Sequence, residues 1–486
     1  MTQKLGLSSL SNLPDSVSVP SYDRADITPG ILHIGAGNFH RAHQAVYLDT
    51  LFNLGQDHDW GIVGAGIMPF DADRRSELEA QDWLSTVVEI SPNKLKARVT
   101  GAMIDFCPTD PDAIIECIAD PAIRIVSLTI TEGGYFIDAA TGRFDTAHPD
   151  IVHDAQNPGA PRTVFGILLA GLALRRMHGY LPPSILSCDN IPENGHVTRQ
   201  TVEGLAALIS NDLLDWVHDQ VAFPNSMVDR ITPATSAGKR ELVAQEFGID
   251  DAAPVVCEPF SQWVMEDDFP LGRPALERVG VQFVSDITPY ETMKLRILNA
   301  GHAAISYPAA LLGYECVHDA MADADITNWL DLLMRTEVIP VLEPIPEVDY
   351  HVYLATCFER FSNTEVRDTI ARLCQDGSNR QPKFILPTIA DALASSRPVD
   401  GLALEIALWC RYCADTVDLD DPRALVLKQA ANKTRQDSAA FLSLVEVFGT
   451  LGQNQHFSTC FARQIEALWD NDIRSVLHGF TKQKAA

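Results

Sequence analysis

A lysine, an asparagine and a histidine fall within nine residues of one stretch, Lys294-Leu295-Arg296-Ile297-Leu298-Asn299-Ala300-Gly301-His302. The stretch puts a potential base, an amide and an imidazole side by side. Lysine takes a proton only when burial lowers its pKa toward neutrality, and Met293, Leu295, Ile297 and Leu298 offer apolar surroundings for that. Read as one amphipathic helix from Tyr290 to His302, with about 100° per residue, Lys294, Leu298 and His302 share a stripe and Asn299 flanks it. Lys294 and His302 then lie roughly 12 Å apart along the axis, a spacing that brackets a small linear substrate. The same residues also fit the polar face of a solvated surface helix. Two further segments are ambiguous in the same way. Asn190 and Asn194 follow an apolar run, where an amide can donate to a developing alkoxide or simply form a turn. Asp229 and Arg230 precede an extended segment and suit either a site or a structural pair.

These side chains need elements to hold them. The apolar run Gly30-Ile31-Leu32-His33-Ile34 ends in Gly35-Ala36-Gly37-Asn38-Phe39-His40-Arg41-Ala42-His43, and helical periodicity follows to Leu54. That is a strand, a glycine turn and a helix, as in a dinucleotide fingerprint. Gly35 permits the tight turn, Gly37 lets the backbone approach a pyrophosphate at the helix amino end, and Ala36, Asn38 and Phe39 join them as cofactor-binding positions. His40 stands where a third glycine is usual, so a plain glycine turn before a helix fits as well. Further strands are expected at 60–65, 123–130 and 184–188, with helices at 111–119 and 163–178. Strands alternating with helices predict an α/β, Rossmann-type doubly wound sheet, with ligands at the loops 127–135 and 187–195 beyond the strand ends. After the second strand, Asp71 or Asp73 is placed to bind a ribose diol. Arg74 and Arg75 would accept a 2′-phosphate, so NAD is preferred and NADP stays open.

From about residue 286 the pattern changes to helical segments at 291–312, 327–342, 348–361, 366–374, 402–413 and 438–448. A mostly α-helical second domain is expected. The boundary falls near Ile287-Thr288-Pro289, giving an NAD(P)-binding domain with extensions at 1–286 and a substrate and catalytic domain at 287–486.

Composition narrows the partners. Thirty-seven Lys and Arg stand against 65 Asp and Glu, a formal net charge of −28. Such a field repels nucleic acid and anionic membranes and suits a neutral small-molecule substrate. The opening stretch Met1–Pro20 lacks the apolar core of a signal peptide, and no later run reaches the ~20 apolar residues of a membrane span, so the cytoplasm is the expected compartment. Of ten cysteines, only Cys410 and Cys413 are closely spaced, with no second pair to complete a zinc site. Buried free thiols and no metal are expected. No long heptad pattern argues for an oligomer.

Five motifs in order carry a resemblance that runs from about Gly30 to beyond Pro382: the glycine turn at 35–43, Thr129-Ile130-Thr131-Glu132-Gly133-Gly134-Tyr135, Cys188-Asp189-Asn190-Ile191-Pro192-Glu193-Asn194-Gly195, Phe223-Pro224-Asn225-Ser226-Met227-Val228-Asp229-Arg230-Ile231-Thr232-Pro233, and the lysine stretch at 294–302. The chain resembles the mannitol dehydrogenase family of polyol-specific long-chain dehydrogenases. That family tolerates a different residue at the third glycine and is zinc-independent. The resemblance implies a monomeric NAD(P)-dependent oxidoreductase that interconverts a polyol and a ketose, most simply D-mannitol and D-fructose. It implies Lys294 as general base, Asn190 and Asn299 as donors to the alkoxide, and His302 as the group that orients substrate hydroxyls. Asp229, Arg372 and Lys383 are implied as polyol ligands, and Glu291, one turn before Lys294, as a relay of its proton to solvent. Fructuronate and tagaturonate reductases and arabinitol dehydrogenases share most of these motifs. A regulator that binds NAD without catalysis would be expected to lose the base or an amide, and both are present. A methyltransferase would leave Lys294 without a function.

Overall fold

A computed structural model describes residues 2–92, 94–138 and 141–485. The chain forms two compact units, Met1–Ile287 and Thr288–Ala486. The first is built on a five-stranded sheet of β1 (Pro29–Ile34), β2 (Gly61–Ala65), β3 (Met103–Phe106), β4 (Ile125–Leu128) and β5 (Ser184–Ser187). Their order is β3-β2-β1-β4-β5 and every neighbouring pair is parallel. The order reverses between β1 and β4, the switch point at which doubly wound sheets bind ligands. The strands are largely buried and mostly apolar, as expected where helices cover both faces, with only Asp105 of the edge strand β3 exposed. Leu32 and Ile34 of β1 join a core with residues of the helices Pro111–Ala119, Val164–Met177 and Asn194–Ile209, while Ile31 joins another with Leu48, Leu51 and Phe52.

The strands and helices read from this half of the sequence are all present, within a few residues. Three smaller sheets are not in that reading. Four strands, ordered Val255–Cys257, Ser85–Ser91, Lys94–Thr100 and Val17–Ser18, form one. Ser226–Asp229 pairs with Gln262–Glu266, which pairs with Gln282–Val284, in another. Gln3–Lys4 and Ile249–Asp250 make the third. The middle sheet matters for the site, because Asp229 ends its first strand.

The second unit is helical around buried Tyr307, Trp329, Trp409, Phe441 and Phe457. Its first helix is not uniform. It runs as an α-helix over Thr288–Met293, a π-helix over Lys294–Asn299 and an α-helix over Ala300–Leu311. The segment expected at 327–342 likewise passes from α-helix (Ala324–Leu333) to π-helix (Met334–Val338). The helix expected at 366–374 begins only at Ile370, because Cys316 and Thr369 form an antiparallel bridge. That expected at 438–448 shrinks to Val445–Phe448 behind a run of turns. Among the described residues, no helix is long and apolar enough to cross a membrane.

Candidate functional site

In the first unit the glycine turn lies at the carboxyl ends of β1 and β4. Gly35 adopts φ +95, and a Cβ there would meet the Thr129 carbonyl oxygen at 2.1 Å. Only glycine fits. Gly37 is exposed, and a Cβ on it would meet nothing nearer than the Gly35 oxygen at 3.8 Å, so its outer side is open to an approaching group. Ala36 is buried, while Asn38 and Phe39 are half-buried at the start of the helix Asn38–Ala42.

The turn is fastened from beneath by residues the sequence reading gave no role. His33, inside β1, bonds Ser127 Oγ at 2.8 Å through Nδ1 and Thr129 Oγ1 at 2.9 Å through Nε2. Thr129 Oγ1 donates to the Gly35 carbonyl at 2.6 Å. Burial pushes the His33 imidazole down to about 3, and His40, stacked on it at 3.5 Å, is also held well below its usual value by burial. Both rings are neutral spacers. Arg41 donates to the carbonyl oxygens of Gly37 and Ala253 and to Asn38 Oδ1. Its guanidinium is 1% exposed, and burial, then the charge of Arg74, lowers its pKa to about 9. In a chain of net charge −28 this places positive charge behind the turn that would meet a pyrophosphate. An arginine four residues beyond Gly37 was the available signal.

The loops beyond β4 and β5 are tied together by Asp189, which the sequence reading also passed over. Its carboxylate accepts from the Ile130 and Thr131 N–H groups, each at 2.9 Å, and from the Tyr135 hydroxyl at 2.7 Å. Asn190, next in the chain, is exposed. Asn194 is not a free amide. Fully buried, it donates to the Asp189 and Ser226 carbonyls and accepts from the Ser226 N–H, so it is a structural clamp. Arg230 is structural too, bonded to the Ala42 and Glu258 carbonyls and to Glu89. Its neighbour Asp229 is buried at the end of its strand, paired in register with Gln262. Asp71 sits over Gly66 at the end of β2, where it accepts from the Met68 N–H at 2.9 Å in the first turn of the helix Pro69–Glu79. Burial raises its pKa. Arg74 and Arg75 pair within that helix with Glu77 and Glu79.

In the second unit, Glu291 and Lys294 are each 8% exposed, and Asn299 is half-buried. The π-helical turn alters the geometry expected of a regular helix. With i→i+5 bonding each turn holds more residues than an α-turn, so side chains drift round the axis and 100° per residue does not carry from Lys294 to His302. Such turns are rare and recur at functional sites. Arg296 fixes the turn from outside, bonding Thr388 Oγ1 at 2.8 Å and Asp391 at 2.9 Å. His302 packs at a tilt of 39° against Phe361, with ring centroids 4.2 Å apart, and Gly301 admits that ring, since a Cβ there would come within 3.1 Å of it. Burial pushes His302 down to about 3, the charge of Asp368 opposing and those of Arg372, Arg360 and Arg380 assisting. A neutral imidazole can both donate and accept.

Arg372 shares this neighbourhood. Its side chain is 58% exposed and forks onto Asp368, Nε to Oδ1 at 2.7 Å and Nη2 to Oδ2 at 2.5 Å. Lys383 is exposed on the helix Gly377–Phe384. The second unit thus brings Lys294, Asn299 and His302 onto one helix and Arg372 beside His302. Lys383 belongs to a separate helix.

Residues 29–278 match the family model for the mannitol dehydrogenase Rossmann domain, and residues 286–469 that for the mannitol dehydrogenase C-terminal domain. Mannitol 2-dehydrogenase of Cereibacter sphaeroides is 53% identical over 473 residues, covering 96% of this chain and 99% of the relative. Mannitol dehydrogenase 2 of Saccharomyces cerevisiae is 40% identical, covering 96% and 95%. Among solved structures, the chain is similar to Pseudomonas fluorescens mannitol 2-dehydrogenase in a ternary complex with NAD and D-mannitol, with TM-score 0.84 and 42% identity over 99% of this chain and 100% of that one. It is also similar to a substrate-free D-sorbitol dehydrogenase, with TM-score 0.91 and 34% identity over 97% and 100%.

Proposed function

The chain belongs to the mannitol dehydrogenase family, and from that premise we propose that it is an NAD-dependent polyol dehydrogenase interconverting D-mannitol and D-fructose, with Lys294 as the general base. The observation that carries this reading is the buried Lys294 on a π-helical turn, with Glu291 buried one turn earlier and Asn299 and His302 following. A buried lysine is the kind whose neutral form is accessible near pH 7.

The open outer edge of Gly37 and the positive-φ Gly35 fit a dinucleotide, with Gly35, Ala36, Gly37, Asn38 and Phe39 about the pyrophosphate. Bound NAD supplies the hydride acceptor. Arg74 and Arg75 are committed to Glu77 and Glu79, which favours NAD over NADP, and Asp71 is the ribose ligand of this reading. Lys294 removes the proton of the reacting hydroxyl, and Glu291 relays it to solvent. Asn190 and Asn299 donate to the oxygen as it becomes an alkoxide and then a carbonyl. His302, Asp229, Arg372 and Lys383 hold the remaining hydroxyls. Reduction of the ketose runs through the same residues in reverse.

The acidic net charge supports a neutral substrate and no nucleic-acid or membrane partner, and in this reading the protein is cytoplasmic and acts as a monomer. Light scattering tests the last point. The similarity to a D-sorbitol dehydrogenase favours a second reading, in which the polyol is the C2 epimer that yields the same ketose. The test follows NADH oxidation with fructose, fructuronate and tagaturonate in parallel, then NAD reduction with mannitol, sorbitol and arabinitol. Turnover of fructose and mannitol is expected. Turnover of the uronates alone would overturn the polyol assignment and leave Lys294 in place.

A further inference from the structure

The second unit holds a cluster of donor atoms that the chemistry above does not use. The ligand atoms of Cys316, His318 and Asp319 all lie within 4.8 Å of one another. Neighbouring residues on a helix point about 100° apart and do not normally face each other. Yet in the helix Val317–Met321 the His318 Nε2 and Asp319 Oδ1 atoms are 3.5 Å apart. Tetrahedral zinc with bonds of about 2.0–2.3 Å requires ligand pairs roughly 3.3–3.7 Å apart. The imidazole and carboxylate are thus at coordination spacing, and small side-chain rotations bring in the thiol. His318 Nδ1, the ring nitrogen other than the one facing Asp319, is enclosed and makes no hydrogen bond, so no partner there fixes the tautomer against coordination through Nε2.

The donor set selects among cations. Magnesium and calcium take oxygen ligands, whereas sulfur, nitrogen and one carboxylate oxygen suit zinc. An open surface depression of about 520 Å³, bordered by Gly313, Tyr314, Glu315 and Asp319, gives an ion its path in. No metal is expected from the sequence, because Cys410 and Cys413, both buried in the helix Asp400–Asp415, are the only closely spaced cysteines and the family resemblance implies catalysis without zinc, which leaves a structural ion open. Ligands as close in the chain as Cys316, His318 and Asp319 do not match zinc-finger spacing.

The position of the cluster gives such an ion a consequence. Cys316 forms the antiparallel bridge with Thr369, the Val317 N–H donates to the Asp368 carbonyl at 2.9 Å, and the Ile370 N–H donates to the Glu315 carbonyl at 2.9 Å. Asp368 holds Arg372. We propose that Cys316, His318 and Asp319 bind a zinc-class divalent cation that braces the backbone pair presenting Asp368 and Arg372. Binding forms metal bonds to the Cys316 thiolate, the neutral imidazole and the carboxylate, and releases the thiol proton to solvent.

The test uses the full chain, incubated with zinc chloride and dialysed against a weak chelator, with metal content measured and thiols labelled with maleimide before peptide mapping. The wild type should retain zinc stoichiometrically, with Cys316 protected from labelling. Cys316→Ser should lose that zinc. Asp319→Asn, at an exposed position where folding is not at stake, should weaken retention by roughly tenfold or more. Absence of zinc from the wild type, equal retention by Cys316→Ser and Asp319→Asn, or labelling of Cys316 at the same rate with and without zinc would each overturn the proposal.

Discussion

The two units prepare for chemistry in different ways. In the first, the glycine turn offers backbone: an exposed Gly37, a Gly35 at φ +95, and beneath them His33, Thr129 and Arg41 holding carbonyl groups in place. In the second, the groups on offer are side chains, Lys294, Asn299 and His302, carried on a helix whose regular winding is interrupted where the lysine begins. A backbone site depends on conformation, so its failures should appear as lost cofactor affinity. A side-chain site depends on one functional group, so its failures should appear in turnover.

The largest test of that contrast is Lys294→Ala. Loss of a general base costs about 10² to 10⁴ in rate, so kcat should fall by about a thousandfold while the Kd for NADH, read by fluorescence titration, stays within twofold or so of wild type. Near-normal turnover would remove Lys294 from the mechanism. Gly35→Ala is the mirror image. The added Cβ meets the Thr129 carbonyl oxygen at 2.1 Å, and left-handed backbone adds about 1–2 kcal/mol of strain. The Kd for NADH should rise by roughly tenfold or more, the equivalent of ~1.4 kcal/mol, with kcat at saturating cofactor largely kept. A kcat loss equal to that of Lys294→Ala would erase the distinction between the units.

The contrast also governs what the sequence reveals. β1 and its turn are legible because an apolar run feeding Gly35 and Gly37 leaves few backbone alternatives. The lysine stretch is legible as chemistry and not as geometry. Nothing in Lys-Leu-Arg-Ile-Leu-Asn distinguishes an i→i+5 turn from an i→i+4 turn, so the stripe expected of an ordinary helix was not realised across it. Asn194 resembles an alkoxide donor in the sequence because its partners are distant along the chain. Ser226, which takes both ends of its amide, lies 32 residues away. The sheet containing Lys94–Thr100 did leave a trace, with Lys94 and Lys96 exposed and Ala97 and Val99 buried, but the alternation is short. Asp71 illustrates a local rule with two uses, since an acidic residue soon after a strand can bind a ribose or close a first helical turn, and here it does close one.

A smaller effect separates the units through pH. His33 in the first and His302 in the second are held at about 3, well below an unfolded value near 6.5. Their neutral forms are favoured in the fold, so the stability they contribute is complete above pH 6.5 and is lost as pH falls toward 3. Glu405, fully buried in the second unit with Gln381 Nε2 donating to it at 2.7 Å, is pushed up to about 8 by burial. Its protonated form is the one the fold favours, so its contribution is complete below about pH 4.3 and is lost as pH rises to 8. Between pH 6.5 and 8 these two histidines are neutral in both states and Glu405 sets the slope, about 1.4 kcal/mol per pH unit. Glu405→Gln should flatten that slope in urea denaturation while leaving the acid limb set by His33 and His302 unchanged. An unchanged alkaline slope would mean that Glu405 ionises normally.

The smallest expected effect is at Arg372. Its guanidinium is already paired with Asp368 and its side chain is more than half exposed, so against a neutral polyol it offers a hydrogen bond and little net charge. Arg372→Ala should therefore raise KM for mannitol by no more than about tenfold, the worth of one ordinary hydrogen bond, with kcat nearly unchanged. A uronate changes the arithmetic, because its carboxylate would compete with Asp368 for the same bidentate fork. If Arg372→Ala costs fructuronate reduction far more than it costs fructose reduction, Arg372 is a carboxylate receptor that the polyol merely borrows. Equal small losses for both substrates would make Asp368, and the backbone pair that carries it, the partner Arg372 is built to hold.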